Sequence, residues 1–145
     1  MTENRKNEFV GLSLAHAGEL AYAEEAPGTC ALLGHLNTFF RYLCGSPEKV
    51  ILRDEIRACE AYVAIQQIST PSALAVTFDV NGEVAETLVT RFSVIDILDR
   101  VVTGMRNSQS TVVAVNVRIV RTTTAVQCEV YSAKDTVPAV VASLS

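Results

Sequence analysis

The sequence predicts an α+β fold, with helices gathered in the first half and an α/β layer behind them. Three observations predict it. Apolar residues recur at helical spacing up to about residue 68, the period switches to two after Ser69-Thr70-Pro71, and two long β-prone runs come near the end. With 49% hydrophobic and 19% charged residues, the chain has enough apolar surface to offset the entropy of ordering, which excludes a mainly disordered protein. A length of 145 residues suits one domain, or two small units sharing a core, and excludes a large multi-domain enzyme.

The opening segment, from about residue 4 to 25, places Phe9, Leu12 and His16 on one helical face, and Pro27-Gly28 reads as its end. From Thr29 to Leu43, the residues Leu32, Leu36, Phe40 and Leu43 recur at spacings of four, four and three, one stripe of a helix that Gly45-Ser46-Pro47 stops. A third helix is predicted from about Ile51 to Ile68. It carries Ile56, Cys59, Val63 and Gln66 on one face, with Arg53, Asp54, Arg57 and Glu60 mostly on the other.

Leu74, Val76, Phe78 and Val80 then alternate with Ala75, Thr77 and Asp79, which predicts a strand. Asn81-Gly82 is a turn signal, and a hairpin into a short strand over 83–87 is expected. Phe92, Ile95, Leu98, Val102 and Met105 return to helical spacing, with an end near 104–108. The runs Thr111 to Arg121 and Ala125 to Ala133 read as strands joined by Thr122-Thr123-Thr124 as a hairpin. Residues 137–144 carry no decisive pattern, and the chain has no internal repeat or low-complexity tract.

The net charge of −4 offers phosphate backbones no general attraction, so nucleic acid is not an expected partner. Cys30, Cys44, Cys59 and Cys128 form no CxxC pair and have only His16 and His35 to join them, so zinc-ligand spacing is absent and the expectation is reduced, buried thiols. No metal or cofactor is expected. The basic N-terminus has no apolar run behind it, and Val112 to Val120 is interrupted by Asn116 and Arg118 and too short to span a bilayer. A cytoplasmic protein without membrane contact is therefore expected. No Gly-rich phosphate loop, Ser/His/Asp set or pair of catalytic carboxylates can be defended from spacing.

The stretches Phe39-Phe40-Arg41-Tyr42, Ile51 to Glu55 and Ala61 to Gln67 resemble the LytS-type sensor histidine kinases. That family runs through an L-x-x-L-R-Y helix, an L-x-x-E-L helix start and a Y-L-x-I-x-x-x-R-F stretch. Arg41-Tyr42, Leu52 with Glu55-Ile56, and Tyr62 to Gln67 fall at family spacing without gaps. The resemblance implies a helical, phosphoacceptor-like dimerisation bundle over 1–69, followed by a truncated ATPase-type α/β sandwich over 70–145. Upstream, the family's N-P-H-F-L-F-N motif falls on Asn7 to Ser13, so Phe9 stands at the position of the phosphorylatable histidine. A phenyl ring has no nitrogen to attack a phosphoryl group.

Downstream, Leu74 to Val80 resembles the first strand of the family's ATP-binding domain, and Phe92 to Val102 its L-Q-P-L-V-E-N-A-I helix. Asp99 then replaces the glutamate, and Arg100 the asparagine that helps to hold Mg²⁺. Arginine has donors and no acceptor, so it cannot ligate a metal. The acidic residue of the family's D-x-G motif falls on Ser132, with Lys134 at its glycine, and the glycine-rich lid and closing strands have no counterpart.

Phosphotransfer needs a nucleophilic imidazole, a held nucleotide and a metal to neutralise developing charge. The resemblance implies instead a non-catalytic scaffold or regulator in bacterial two-component signalling, a homodimer that engages a response regulator or histidine kinase. Two alternatives stand beside it. His16, seven residues and so about 10 Å along the helix from Phe9, would relay a phosphoryl group without ATP. The α/β half would otherwise be a residual nucleotide or small-ligand sensor. The plainer expectations are a structural His35, a solvated Asp99-Arg100 pair, and an Arg41 guanidinium that reaches Glu55 or Glu60.

Overall fold

The computed structural model describes residues 2–45, 47–69, 73–107, 112–132 and 138–144. Ser46, Lys134 and Ser108, the far limit of the expected end of the last helix, lie outside them. The fold is α+β, with N-terminal helices followed by a mixed four-stranded sheet.

Helices α1 (Glu3–Ala23) and α2 (Pro27–Leu43) form a hairpin in which Gly11 lies against Phe40 and Gly18 against Leu33. The chain reverses through Glu25 in the left-handed region (φ 56°), and Pro27 opens α2 rather than closing α1. Proline suits a first helical position, because its missing N–H would have no partner there. Strand β1 (Lys49–Ile51) and helix α3 (Leu52–Ser69) follow.

Strand β2 (Ala73–Val80) forms as the alternation predicts, but the expected hairpin does not. Asn81 accepts a hydrogen bond from the Glu83 amide at 3.2 Å and caps a four-residue helix, α4 (Gly82–Ala85). Asparagine is as good at opening a helix as at turning a hairpin, and Glu83 in the first turn favours the helix. The next strand, β3 (Leu88–Thr90), pairs with β1 instead of β2.

Helix α5 (Ser93–Asn107) then carries the chain to β4 (Val112–Arg121), which lies parallel to β2 as such a crossover requires. Strands β4 and β5 (Val126–Ser132) form the predicted hairpin. It is closed by Thr122, whose amide and hydroxyl both donate to the Ala125 carbonyl. The unassigned tail supplies β6 (Val140–Ser143), giving the order β2-β4-β5-β6.

Period two sorts the sheet's residues by face. Val113, Val115, Val117, Ile119, Val126, Cys128 and Val130 are buried, beside Leu74 of β2. They meet Leu52, Ala58, Cys59 and Val63 of α3, and Val94, Ile95, Ile97, Leu98 and Val102 of α5, in one core. On the other face, register aligns Asp79, Arg118 and Glu129, and Arg118 pairs with Asp79 at 3.6 Å. The α1–α2 hairpin stands outside that core and docks on it through Phe39 and Tyr42 of α2.

Burial pushes both core thiols up: Cys59 well above the ordinary value of 9.0, and Cys128 to about 12. The folded state holds these protons more tightly than the unfolded chain. Their contribution to stability is complete below the unfolded thiol value and is lost as pH rises toward the folded one. The urea midpoint should be level to about pH 8 and fall above about pH 9. At about pH 8 a thiol reagent should label the half-buried Cys30 and Cys44 but reach Cys59 and Cys128 only after denaturation. A level midpoint to about pH 11, or rapid labelling of Cys59 or Cys128, contradicts this.

Candidate functional site

Two three-residue strands create the best-defined polar constellation in the protein. Register pairs Lys49 with Thr90, Val50 with Val89 and Ile51 with Leu88. The ladder is extended at both ends: the Leu52 amide donates to the Thr87 carbonyl, and the Arg91 amide to the Glu48 carbonyl, each at 2.9 Å. The N-termini of α3 and α5 are thereby held side by side.

One turn into α3, Glu55 points at the start of α5. It is fully buried, and among the described residues it is the one buried charged side chain. Its carboxylate accepts hydrogen bonds from the amides of Phe92 (3.0 Å), Val94 (3.0 Å) and Ile95 (3.2 Å), and from the Tyr42 hydroxyl of α2. All four groups are donors, the complement of a carboxylate's lone pairs. The Val94 and Ile95 amides belong to the first helical turn, where amides have no intrahelical acceptor and the helix dipole favours negative charge. To present its amide, Phe92 adopts the left-handed conformation at φ 69°, a costly one for a residue with a Cβ.

The rings of two residues that donate to the carboxylate pack on one another, and a second aromatic pair joins α2 to α3. The Tyr42 and Phe92 rings meet edge to face at 5.6 Å, and Phe39 packs on Tyr62 at 6.1 Å. Burial raises the Tyr42 hydroxyl pKa, and its hydrogen bond to Glu55 raises it further. The Arg91 guanidinium lies 4.3 Å over the Phe92 ring and 5.9 Å from that of Tyr42, and donates to the Leu43 carbonyl at 2.8 Å. Helices α2, α3 and α5 are thus tied at one point.

The residues singled out in the sequence lie elsewhere. Phe9 and His16 are exposed on α1, and His35 is half-buried on α2. Asp99 and Arg100 are exposed on α5, where Asp99 accepts a hydrogen bond from the Tyr62 hydroxyl at 2.6 Å. Ser132 ends β5 opposite Val115 of β4, and among the described residues no hydrogen bond or ion pair joins it to Asp99 or Arg100. The expected pairing of Arg41 with Glu55 or Glu60 does not form. Tyr42, the next residue, faces Glu55, and the turn of the helix sends Arg41 outward. Among the described residues no group of three or more His, Cys, Asp or Glu side chains is placed to hold a metal ion. No described helix is long and apolar enough to cross a membrane.

Glu55 enters the sequence pattern only as a position of the resemblance and a partner for Arg41, although the signal for its burial is there: it shares the helical stripe of Leu52 and Cys59, both fully buried, and is the one acid on it. Arg91 had no signal, because its position depends on the β1–β3 pairing.

Removing the carboxylate leaves four donors without their acceptor. Glu55→Ala should cost at least about 3 kcal/mol in urea unfolding, and Glu55→Gln somewhat less. Tyr42→Phe, which spares the backbone donors, should cost about 1–2 kcal/mol. A Glu55→Ala variant no less stable than Tyr42→Phe would contradict this arrangement.

Comparison with known proteins bears on the part of the chain that builds this junction from the helical side. No curated protein matches the sequence. Residues 6–74, from α1 through α3 to the start of β2, match the family model described as Histidine kinase. Over that segment, which includes Phe9, His16, Tyr42 and Glu55 and stops short of Asp99, Arg100 and Ser132, the chain is histidine-kinase-like.

Proposed function

We propose that the protein is a non-catalytic, LytS-like scaffold or regulator of bacterial two-component signalling, which dimerises through its α1–α2 hairpin and engages a response regulator or histidine kinase. The observation that carries the reading is an apolar stripe on α1. Phe9 is 64% exposed, Leu12 54% and Leu20 63%, with the exposed His16 between them. At spacings of three and four they line the face of α1 opposite the one packed on α2. The hairpin has almost no interior of its own: Ala21 is buried on α1, and no residue is buried on α2. Two helices with an apolar outer face are half of a four-helix bundle, and a second copy supplies the other half with a symmetric surface.

The same stripe supports the reading of a non-catalytic protein. The family's phosphoacceptor histidine falls on Phe9 in the resemblance, and a phenyl ring there strengthens a helix–helix contact while removing the nucleophile. The match to histidine kinases over residues 6–74 supports signalling as the setting.

Light scattering and sedimentation should find a dimer. Leu20→Glu should raise its dissociation constant on the order of a hundredfold or more, since each dimer loses two buried leucines and gains two carboxylates. The circular dichroism spectrum should not change, because Leu20 is exposed in one copy. A monomer at high concentration would sink the proposal. So would acid-labile label acquired from a phosphorylated response regulator and lost in His16→Ala, which would establish the phosphotransfer alternative.

A further inference from the structure

A cleft of about 410 Å³ opens on the solvent side of the Glu55 junction, between α2, α3 and the turn before α5. Each element contributes one arginine to its wall: Arg41 from α2, Arg57 from α3 and Arg91 from the turn. Asp54 is the one acidic residue among those lining it. Three guanidiniums against one carboxylate make the cleft a local reversal of sign in a chain of net charge −4.

None of the three arginines is paired with a carboxylate: the ion pairs among the described residues are Lys6 with Glu3, Arg53 with Glu86, and Arg118 with Asp79. Arg91 is the most constrained. Its Nη2 donates to the Leu43 carbonyl, its Cζ lies 4.3 Å over the Phe92 ring, and its Nε is buried without a partner. Its Nη1 lies beside Gly45, where a side chain would come within 3.7 Å of it and 3.3 Å of the Tyr42 carbonyl. Glycine keeps that side of the guanidinium open. A planar donor fixed this way surrenders little entropy when it meets an anion.

From this geometry we infer that the cleft binds the phosphate group of a small phosphomonoester. Guanidiniums supplied by three elements around one cleft suit a tetrahedral dianion, which has oxygens for several donors, better than a single planar carboxylate. The cleft falls within the roughly 300–1,000 Å³ of small-molecule sites. Pro47, Val50 and Ala58 supply an apolar wall for the organic part. A bound phosphate bridges α2 to α3 and to the α5 turn, so occupancy fastens the helical hairpin to the α/β core from outside, as Glu55 does from within.

Thermal shift and calorimetric titration of the full chain with glycerol phosphate, inorganic phosphate, and sodium chloride at matched ionic strength test the inference. Glycerol phosphate should raise Tm saturably and bind more tightly than inorganic phosphate. Arg41→Gln and Arg57→Gln, both at exposed positions, should each weaken binding about tenfold or more, and Arg53→Gln, outside the cleft, should leave it unchanged. Stabilisation no greater than with chloride, or binding retained in the Arg41→Gln/Arg57→Gln double variant, overturns the site. A response to inorganic phosphate alone overturns the phosphomonoester.

Discussion

A carboxylate buried among apolar side chains must be compensated wherever the chain can supply donors, and the donors around Glu55 come from three parts of the sequence. Tyr42 reaches it from α2, the Phe92 amide from a strained turn, and Val94 and Ile95 from the first turn of α5. The requirement explains otherwise unrelated features. A β-pair only three residues long is worth forming because it aligns two helix starts. A phenylalanine tolerates a left-handed backbone because its amide is needed at Glu55. Breaking such an arrangement costs far more than forming it gains, so it specifies one geometry rather than merely adding stability.

The consequence is a division of labour along the chain. Helices α3 and α5 and the sheet share one continuous core, closed by Leu144, whose amide and carbonyl bond to Val126 and Thr90. The α1–α2 hairpin is positioned by its docking contacts, the Tyr42–Glu55 bond and the bond from Arg91 to the Leu43 carbonyl, and it shows Phe9, Leu12 and Leu20 to water. The core is continuous, and the exposed apolar surface lies on the hairpin outside it. Tyr42 belongs to both features at this boundary: its hydroxyl meets the buried carboxylate, and it lines the cleft that holds Arg41, Arg57 and Arg91.

Much of this was legible. Apolar spacing marks α3 and α5 because each buries one stripe, and α2 because its stripe is half-buried, while alternation marks β2, β4 and β5 because the sheet buries one face. The signals failed where a residue serves two local structures or where tertiary pairing decides. Asn81 caps a helix as readily as it turns a hairpin, and only the parallel alignment of β2 with β4 selects the first. Strands β1, β3 and β6 are too short to show a period and exist because a neighbour awaits them. At the site, Arg41-Tyr42 was rightly prominent but with the roles exchanged, since the hydroxyl rather than the guanidinium meets the acid.

Native-state hydrogen exchange at Phe92, Val94 and Ile95 interrogates the Glu55 junction directly. Amides in a turn and at a helix start ordinarily exchange fast, because no backbone carbonyl accepts from them. If Glu55 holds them, they exchange only through global unfolding, at the rate of the core strands, and lose that protection in Glu55→Gln. Exchange in the wild-type protein as fast as at the exposed start of α1 would contradict the account.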